Sequence, residues 1–107
     1  MSDFVAIASV DELGPGDPPI VVEIEDRWVA VFNVAGTFYA IEDVCTHDSG
    51  PLAEGNIDGC VIECPRHGAT FDIRTGKALS APAYIDVKTF EVRVERGEIQ
   101  IGERKRK

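Results

Sequence analysis

The sequence predicts an all-β fold, and three observations carry that prediction. Apolar residues recur with a period of two, no long segment shows the 3.6-residue period of a helix, and Gly and Pro punctuate the chain. The one helix-like opening, residues 9–13, is cut short by Gly14-Pro15-Gly16 and Pro18-Pro19. Next, Ile20, Val22 and Ile24 alternate with Val21, Glu23 and Glu25, the pattern of a half-buried strand. The run Trp28-Val29-Ala30-Val31-Phe32 is apolar on both faces, as a central strand is, and it places Trp28 in the core. Residues 33–36 should turn the chain into Thr37-Phe38-Tyr39-Ala40-Ile41, making a hairpin. Towards the end, Ile85 and Val87 share one phase while Phe90, Val92 and Val94 share the other, which predicts a bulge at Lys88-Thr89. Arg96-Gly97 then turns the chain into Ile99-Gln100-Ile101. Between these regular ends, residues 43–83 are dense in Gly and Pro and hold every cysteine and histidine. They read as a loop-built site presented on a rigid antiparallel scaffold.

A chain of 107 residues fits a single domain, expected here over residues 1–103. No stretch approaches the ~20 apolar residues that span a bilayer, so no membrane anchoring is expected. The opening Met1-Ser2-Asp3-Phe4 lacks the basic segment and apolar run of a secretory signal, and a cytoplasmic location is expected. Net charge is -8, yet four of the eleven basic residues are Arg104-Lys105-Arg106-Lys107, a tail expected to be disordered. Residues 1–103 carry seven basic against nineteen acidic side chains, a net charge of -12. Such a body repels phosphate backbones, which argues against nucleic acid and for a positively charged protein partner. Acidity that merely keeps the protein soluble is the competing account.

Three cysteines in a chain of this kind are better explained by metal binding or catalysis than by a disulfide framework. Both histidines lie within three residues of a cysteine: Cys45-Thr46-His47, then sixteen residues, then Cys64-Pro65-Arg66-His67. In each half a thiolate and an imidazole sit on a tight loop, close enough to reach one inorganic centre. Together the halves make a four-ligand Cys2His2 site, a donor set that zinc also takes. Gly50-Pro51 and Gly68 let the backbone fold closely around a bulky centre, and backbone amides there can donate to sulfur.

The pattern C-T-H…C-P-x-H-G, followed by Ala69-Thr70-Phe71-Asp72 and Thr75-Gly76, resembles the Rieske family, in particular the small Rieske ferredoxins of bacterial ring-hydroxylating oxygenases. The resemblance spans nearly the whole chain and includes the Pro-containing segment Ser80-Ala81-Pro82-Ala83, where the family covers its cluster. It implies a Rieske-type antiparallel β-sandwich with a cluster-binding subdomain at about residues 43–83. It also implies one [2Fe-2S] cluster, with Cys45 and Cys64 on one iron and His47 and His67 on the other. Two thiolates and two neutral imidazoles leave the oxidised centre neutral, where four thiolates would leave it at -2. An electron is therefore added more easily, with potentials of about -150 to +300 mV against about -400 mV for all-cysteine plant-type ferredoxins. The high-potential respiratory members carry a loop-to-loop disulfide, and Gly50 and Arg66 stand at those positions here. They also place Ser and Tyr hydroxyls near the cluster where this chain has Ala69 and Phe71, which predicts a potential toward the low end of the range.

Zinc fingers of the Cys2His2 type usually put both cysteines in one half, whereas each half here is mixed, which suits a binuclear centre taking one residue from each loop per iron. Cys60, followed by Val61 and Ile62, reads as a small buried hydrophobe at the start of a strand and is left out of the site. Asp48, Glu54, Asp58 and Glu63 are candidates for an acidic docking rim, and Arg66 either meets a partner or balances these acids. The implied role is a monomeric, non-enzymatic carrier of single electrons between a flavoprotein ferredoxin reductase and a terminal oxygenase acting on an aromatic compound. A catalytic oxygenase would need two further histidines for a mononuclear iron, and both are committed. The alternative is a Rieske-like small subunit or module of another redox enzyme, such as an assimilatory nitrite reductase.

Overall fold

In the computed structural model, which describes residues 4–24, 26–45, 51–65, 68–81 and 85–104, nine strands run antiparallel in two sheets. The larger sheet is built from β1 (Val5–Ser9), β2 (Ile20–Ile24), β3 (Arg27–Val34), β4 (Thr37–Glu42), β8 (Thr89–Glu95) and β9 (Glu98–Arg104), ordered β1-β9-β8-β4-β3-β2. The smaller one is a meander of three-residue strands, β5 (Asn56–Asp58), β6 (Val61–Glu63) and β7 (Thr70–Asp72). Among the described residues the only helical element is a 3-10 turn, Val10–Glu12. Ser9 caps it, its hydroxyl accepting from the Asp11 amide, while the Glu12 carboxylate accepts from the Ser9 amide in return.

Strand β3 organises the molecule. Val29, Ala30, Val31, Phe32 and Asn33 are all buried, and the alternation of the strand sends them to two different cores. Val29 and Val31 join Leu13, Ala40, Phe90, Ile99 and Ile101, with partly buried Ile7 and Ala8 of β1 and Ile20, Val22 and Ile24 of β2 packed against them. Strands from both ends of the large sheet meet in this core, so the sheet curls on itself. Ala30 and Phe32 face the other way with Ile41, against Cys45, Leu52, Ile62, Cys64, Ala69, Phe71, Ile73 and Val87. That second core joins the large sheet to the small one.

Several expectations are corrected by these contacts. Trp28 is 56% exposed rather than buried, because it lies one residue before the stretch of β3 that both layers cover. Asn33 belongs to the strand, not the turn: its side-chain amide donates to the Leu13 carbonyl and its Oδ1 accepts from the Gly36 amide. The reversal takes only Ala35 and Gly36, with φ of 53° and 95°, a two-residue turn whose twist suits a hairpin. Arg96 and Gly97 make the same kind of turn between β8 and β9. The phase change near residue 88 is real, since Val87 packs in the second core and Phe90 in the first. The register irregularity falls later, however, between Phe90 and Val92, and Ile85 is 67% exposed. Strand β9 continues through Arg104, so that residue of the expected tail is paired in the sheet. Residues 43–83 are more regular than a set of loops, because they contain the whole small sheet.

Candidate metal centre

Cys45 and Cys64 both lie in the joining core. The first follows the end of β4 by three residues, and the second directly follows β6. Their exposures are 0% and 2%, and no disulfide joins any of the three cysteines. A buried cysteine can serve as a small hydrophobe, and two of them in one core at the mouths of two loops also suit metal binding. His47 and His67 lie outside the described residues, as do Asp48, Gly50, Arg66 and the Pro82-Ala83 part of the proline segment. Among the described residues no group of three or more His, Cys, Asp or Glu converges as a metal site. Of the predicted ligand set, Cys45 and Cys64 are the two members that fall among the described residues, and both lie in the joining core.

Each mouth is closed by hydrogen bonds. The Asp43 amide donates to the Trp28 carbonyl at 2.8 Å, extending the β3–β4 ladder, and the Val44 amide then bonds back to Glu42 at 2.8 Å, turning the chain off the sheet. The Asp43 Oδ1 accepts from both the Leu52 and the Ala53 amides at 2.7 Å, pinning together the two ends of the segment that carries Cys45. On the other side, the Cys64 amide donates to Ala69 at 2.6 Å and the Gly68 amide donates to Cys64 at 3.1 Å, so the second loop is closed by its own backbone. Ala69 and Phe71, the residues expected where respiratory members carry Ser and Tyr hydroxyls, are fully buried in the joining core.

Side-chain hydrogen bonds hold Ser80, the first residue of the proline segment, and the described residues on either side of it. The Ser80 hydroxyl accepts from the Thr70 amide at 3.2 Å and shares a 2.7 Å hydrogen bond with the Thr70 hydroxyl, while the Asp86 carboxylate accepts from the Ala78 amide at 2.9 Å. Asp72 holds the following turn: it accepts from the Arg74 amide and guanidinium, and the guanidinium holds its carboxyl below the usual carboxylate range. At Gly76 an added Cβ would stand 2.1 Å from the Val87 carbonyl oxygen, which accounts for the glycine in Thr75-Gly76. Sequence reasoning missed Asp43 and Asp86, and it named Ser80 only as part of the proline segment, without its bonds to Thr70. Their only signal was a short polar side chain at the edge of a Gly- and Pro-rich loop, a place where Asp and Ser commonly bond backbone amides.

Cys60 sits in the β5–β6 turn rather than the core and is half-buried. Glu54 and Glu63 are exposed, and with Gly55, Asn56, Cys64, Pro65 and Gly68 they line a cleft of about 230 Å³ beside the second loop. Asp58 is exposed on β5.

Residues 3–91 match the model of the Rieske [2Fe-2S] domain. The chain belongs to that family. This Rieske chain is 39% identical over 103 residues to ferredoxin CarAc of Metapseudomonas resinovorans, covering 95% of this chain and 96% of the relative. It is 42% identical to the biphenyl dioxygenase ferredoxin subunit of Pseudomonas sp. (strain KKS102), over 86% of this chain and 84% of that one. Among solved structures, a complex of reduced oxygenase and oxidised ferredoxin in carbazole 1,9a-dioxygenase contains a chain that superposes with a TM-score of 0.91 at 36% identity, each chain covered completely. The pair of buried cysteines fits the cofactor of the Rieske family, whose cluster takes two thiolates.

Proposed function

We infer that this Rieske chain is the ferredoxin component of a ring-hydroxylating dioxygenase system, holding one [2Fe-2S] cluster through Cys45, His47, Cys64 and His67. The observation that carries the reading is the burial of Cys45 and Cys64 in one core at the closed mouths of two loops, in a chain similar along its length to ferredoxin components. When bound, the cluster supplies a site that takes up and gives up one electron. The protein keeps the two sulfur ligands away from water, while the acidic body, at -12 over residues 1–103, favours docking against positively charged surfaces. The chain transforms no substrate itself. It receives electrons from a flavoprotein reductase and passes them to a terminal oxygenase that attacks an aromatic compound. It works as a cytoplasmic monomer, one domain that includes the β9 residue Arg104, with its cluster-binding part at about 43–83. Among the described residues no helix is long and apolar enough to cross a membrane. The nitrite-reductase module has no support among the relatives named above.

Two irons and two acid-labile sulfides per chain, with an electron paramagnetic resonance spectrum of mixed Cys and His ligation on reduction, are the expected result. A colourless protein carrying stoichiometric zinc would overturn the reading.

A further inference from the structure

The two ligand loops are tied to each other by contacts in which no cluster takes part. The first tie is the Asp43 carboxylate, whose Oδ1 receives the Leu52 and Ala53 amides and so fixes where the chain re-enters the core after the Cys45 loop. Leu52 is fully buried there, and its carbonyl accepts from the Gly55 amide at 2.8 Å, making a short turn. The second tie is at Gly55. A Cβ on this residue would stand 1.8 Å from the Glu63 carbonyl oxygen and 2.9 Å from its carbon, so the chain leaving the first loop rests directly on the backbone that enters the second. Glu63 is bonded to Cys64, and the Cys64 amide is already fixed to Ala69. From Asp43 to Cys64 the path therefore runs through hydrogen bonds and one backbone-to-backbone contact, with no long side chain in it.

We propose that Asp43 and Gly55 are positioning residues that together set the separation of Cys45 and Cys64, and through it the geometry of the iron those thiolates hold. This rests on the [2Fe-2S] reading above. An aspartate suits the first place because one short, acceptor-only side chain can receive two neighbouring amides at once. Glycine suits the second because any side chain would wedge the two loops apart.

The test starts from the holoprotein. Absence of two irons and two sulfides from the parent protein would defeat the cluster reading itself, separately from the proposal. Given that cluster, Asp43→Ala should shift the g values of the reduced protein and speed release of iron to a chelator on the order of tenfold, the lower end of what losing charge-assisted hydrogen bonds costs. Asp43→Asn keeps an acceptor oxygen at the same place and should restore both the spectrum and the release rate, while its lost charge raises the midpoint potential. Gly55→Ala should shift the spectrum as Asp43→Ala does, and the double variant should release iron more slowly than the product of the single effects requires, because both act on one linkage. A spectrum and release rate unchanged in Asp43→Ala, with only the melting temperature of the cluster-free protein lowered, would reduce Asp43 to a structural residue and overturn the proposal. So would equal spectral changes in the Ala and Asn variants. Should Gly55→Ala fail to fold, the Asp43 pair decides.

Discussion

The large sheet and the region that carries the cysteines are built by different means. In the large sheet, strands of five to eight residues pair in long ladders, and their apolar positions alternate into cores on one or both faces. Between β4 and β8 the strands of the small sheet are three residues long, and much of the backbone is satisfied by side chains: Asp43 on Leu52 and Ala53, Ser80 on Thr70, Asp86 on Ala78, Asp72 on Arg74. Three-residue strands bury little apolar surface, so this region depends on individual polar contacts and on packing against β3 and β4. One region should therefore respond to mutation mainly in folding stability, the other mainly in cofactor retention and redox behaviour.

The sharpest break of that contrast is at the cysteines. Cys45→Ser or Cys64→Ser should abolish the cluster, measured as iron and sulfide per chain, while Cys60→Ser in the β5–β6 turn should leave it intact. Loss of the cluster in Cys60→Ser would show that the third thiol belongs to the site. A second comparison sets Ile101, in the core of the curled sheet, against Ile62, in the core shared with the cysteines; both are essentially fully buried. Truncation of either to Ala should cost about 2–5 kcal/mol in denaturant unfolding of the cluster-free protein. Only Ile62→Ala should also hasten release of the cluster, and equal retention in the two variants would mean that the regions are not distinct in this way.

Electron transfer to a positively charged partner should slow markedly between low salt and ~0.15 M salt, where the Debye length contracts to about 8 Å. Neutralising Asp48, Glu54 and Glu63 together should slow association, whereas removing residues 105–107, beyond the end of β9, should speed it or leave it unchanged. Rates indifferent to salt and to these changes would make the acidity a matter of solubility. Smaller still, Ala69→Ser and Phe71→Tyr should raise the midpoint potential, each by on the order of 40 mV if its hydroxyl gives a cluster sulfur one hydrogen bond worth about 1 kcal/mol. The smallest effect concerns Asp72, whose carboxyl is held low chiefly by its hydrogen bond from the Arg74 side chain. A depressed folded-state pKa gives stability that is present above the unfolded-state value and is lost as pH falls through the folded one. Asp72→Asn should accordingly flatten the acid limb of the stability profile, in titrations of the cluster-free protein below about pH 4.

The sequence by itself determined the all-β class, the central position of β3, the presence of reversals near Gly36 and Gly97, and the constellation in which Cys45 and Cys64 stand. These rest on local rules. A strand alternates every second residue whatever it packs against, turn residues act within four positions, and a ligand motif is a spacing along the chain. Only the tertiary structure decided that Trp28 lies outside the covered part of its strand, that Asn33 bonds Leu13 twenty residues earlier, and that Cys60 ends in a turn. It alone brought the Asp43 carboxylate to Leu52 and the Gly55 backbone to Glu63. Each of these depends on which distant segment comes to lie beside a residue, and no periodicity of the residue's own neighbourhood records that.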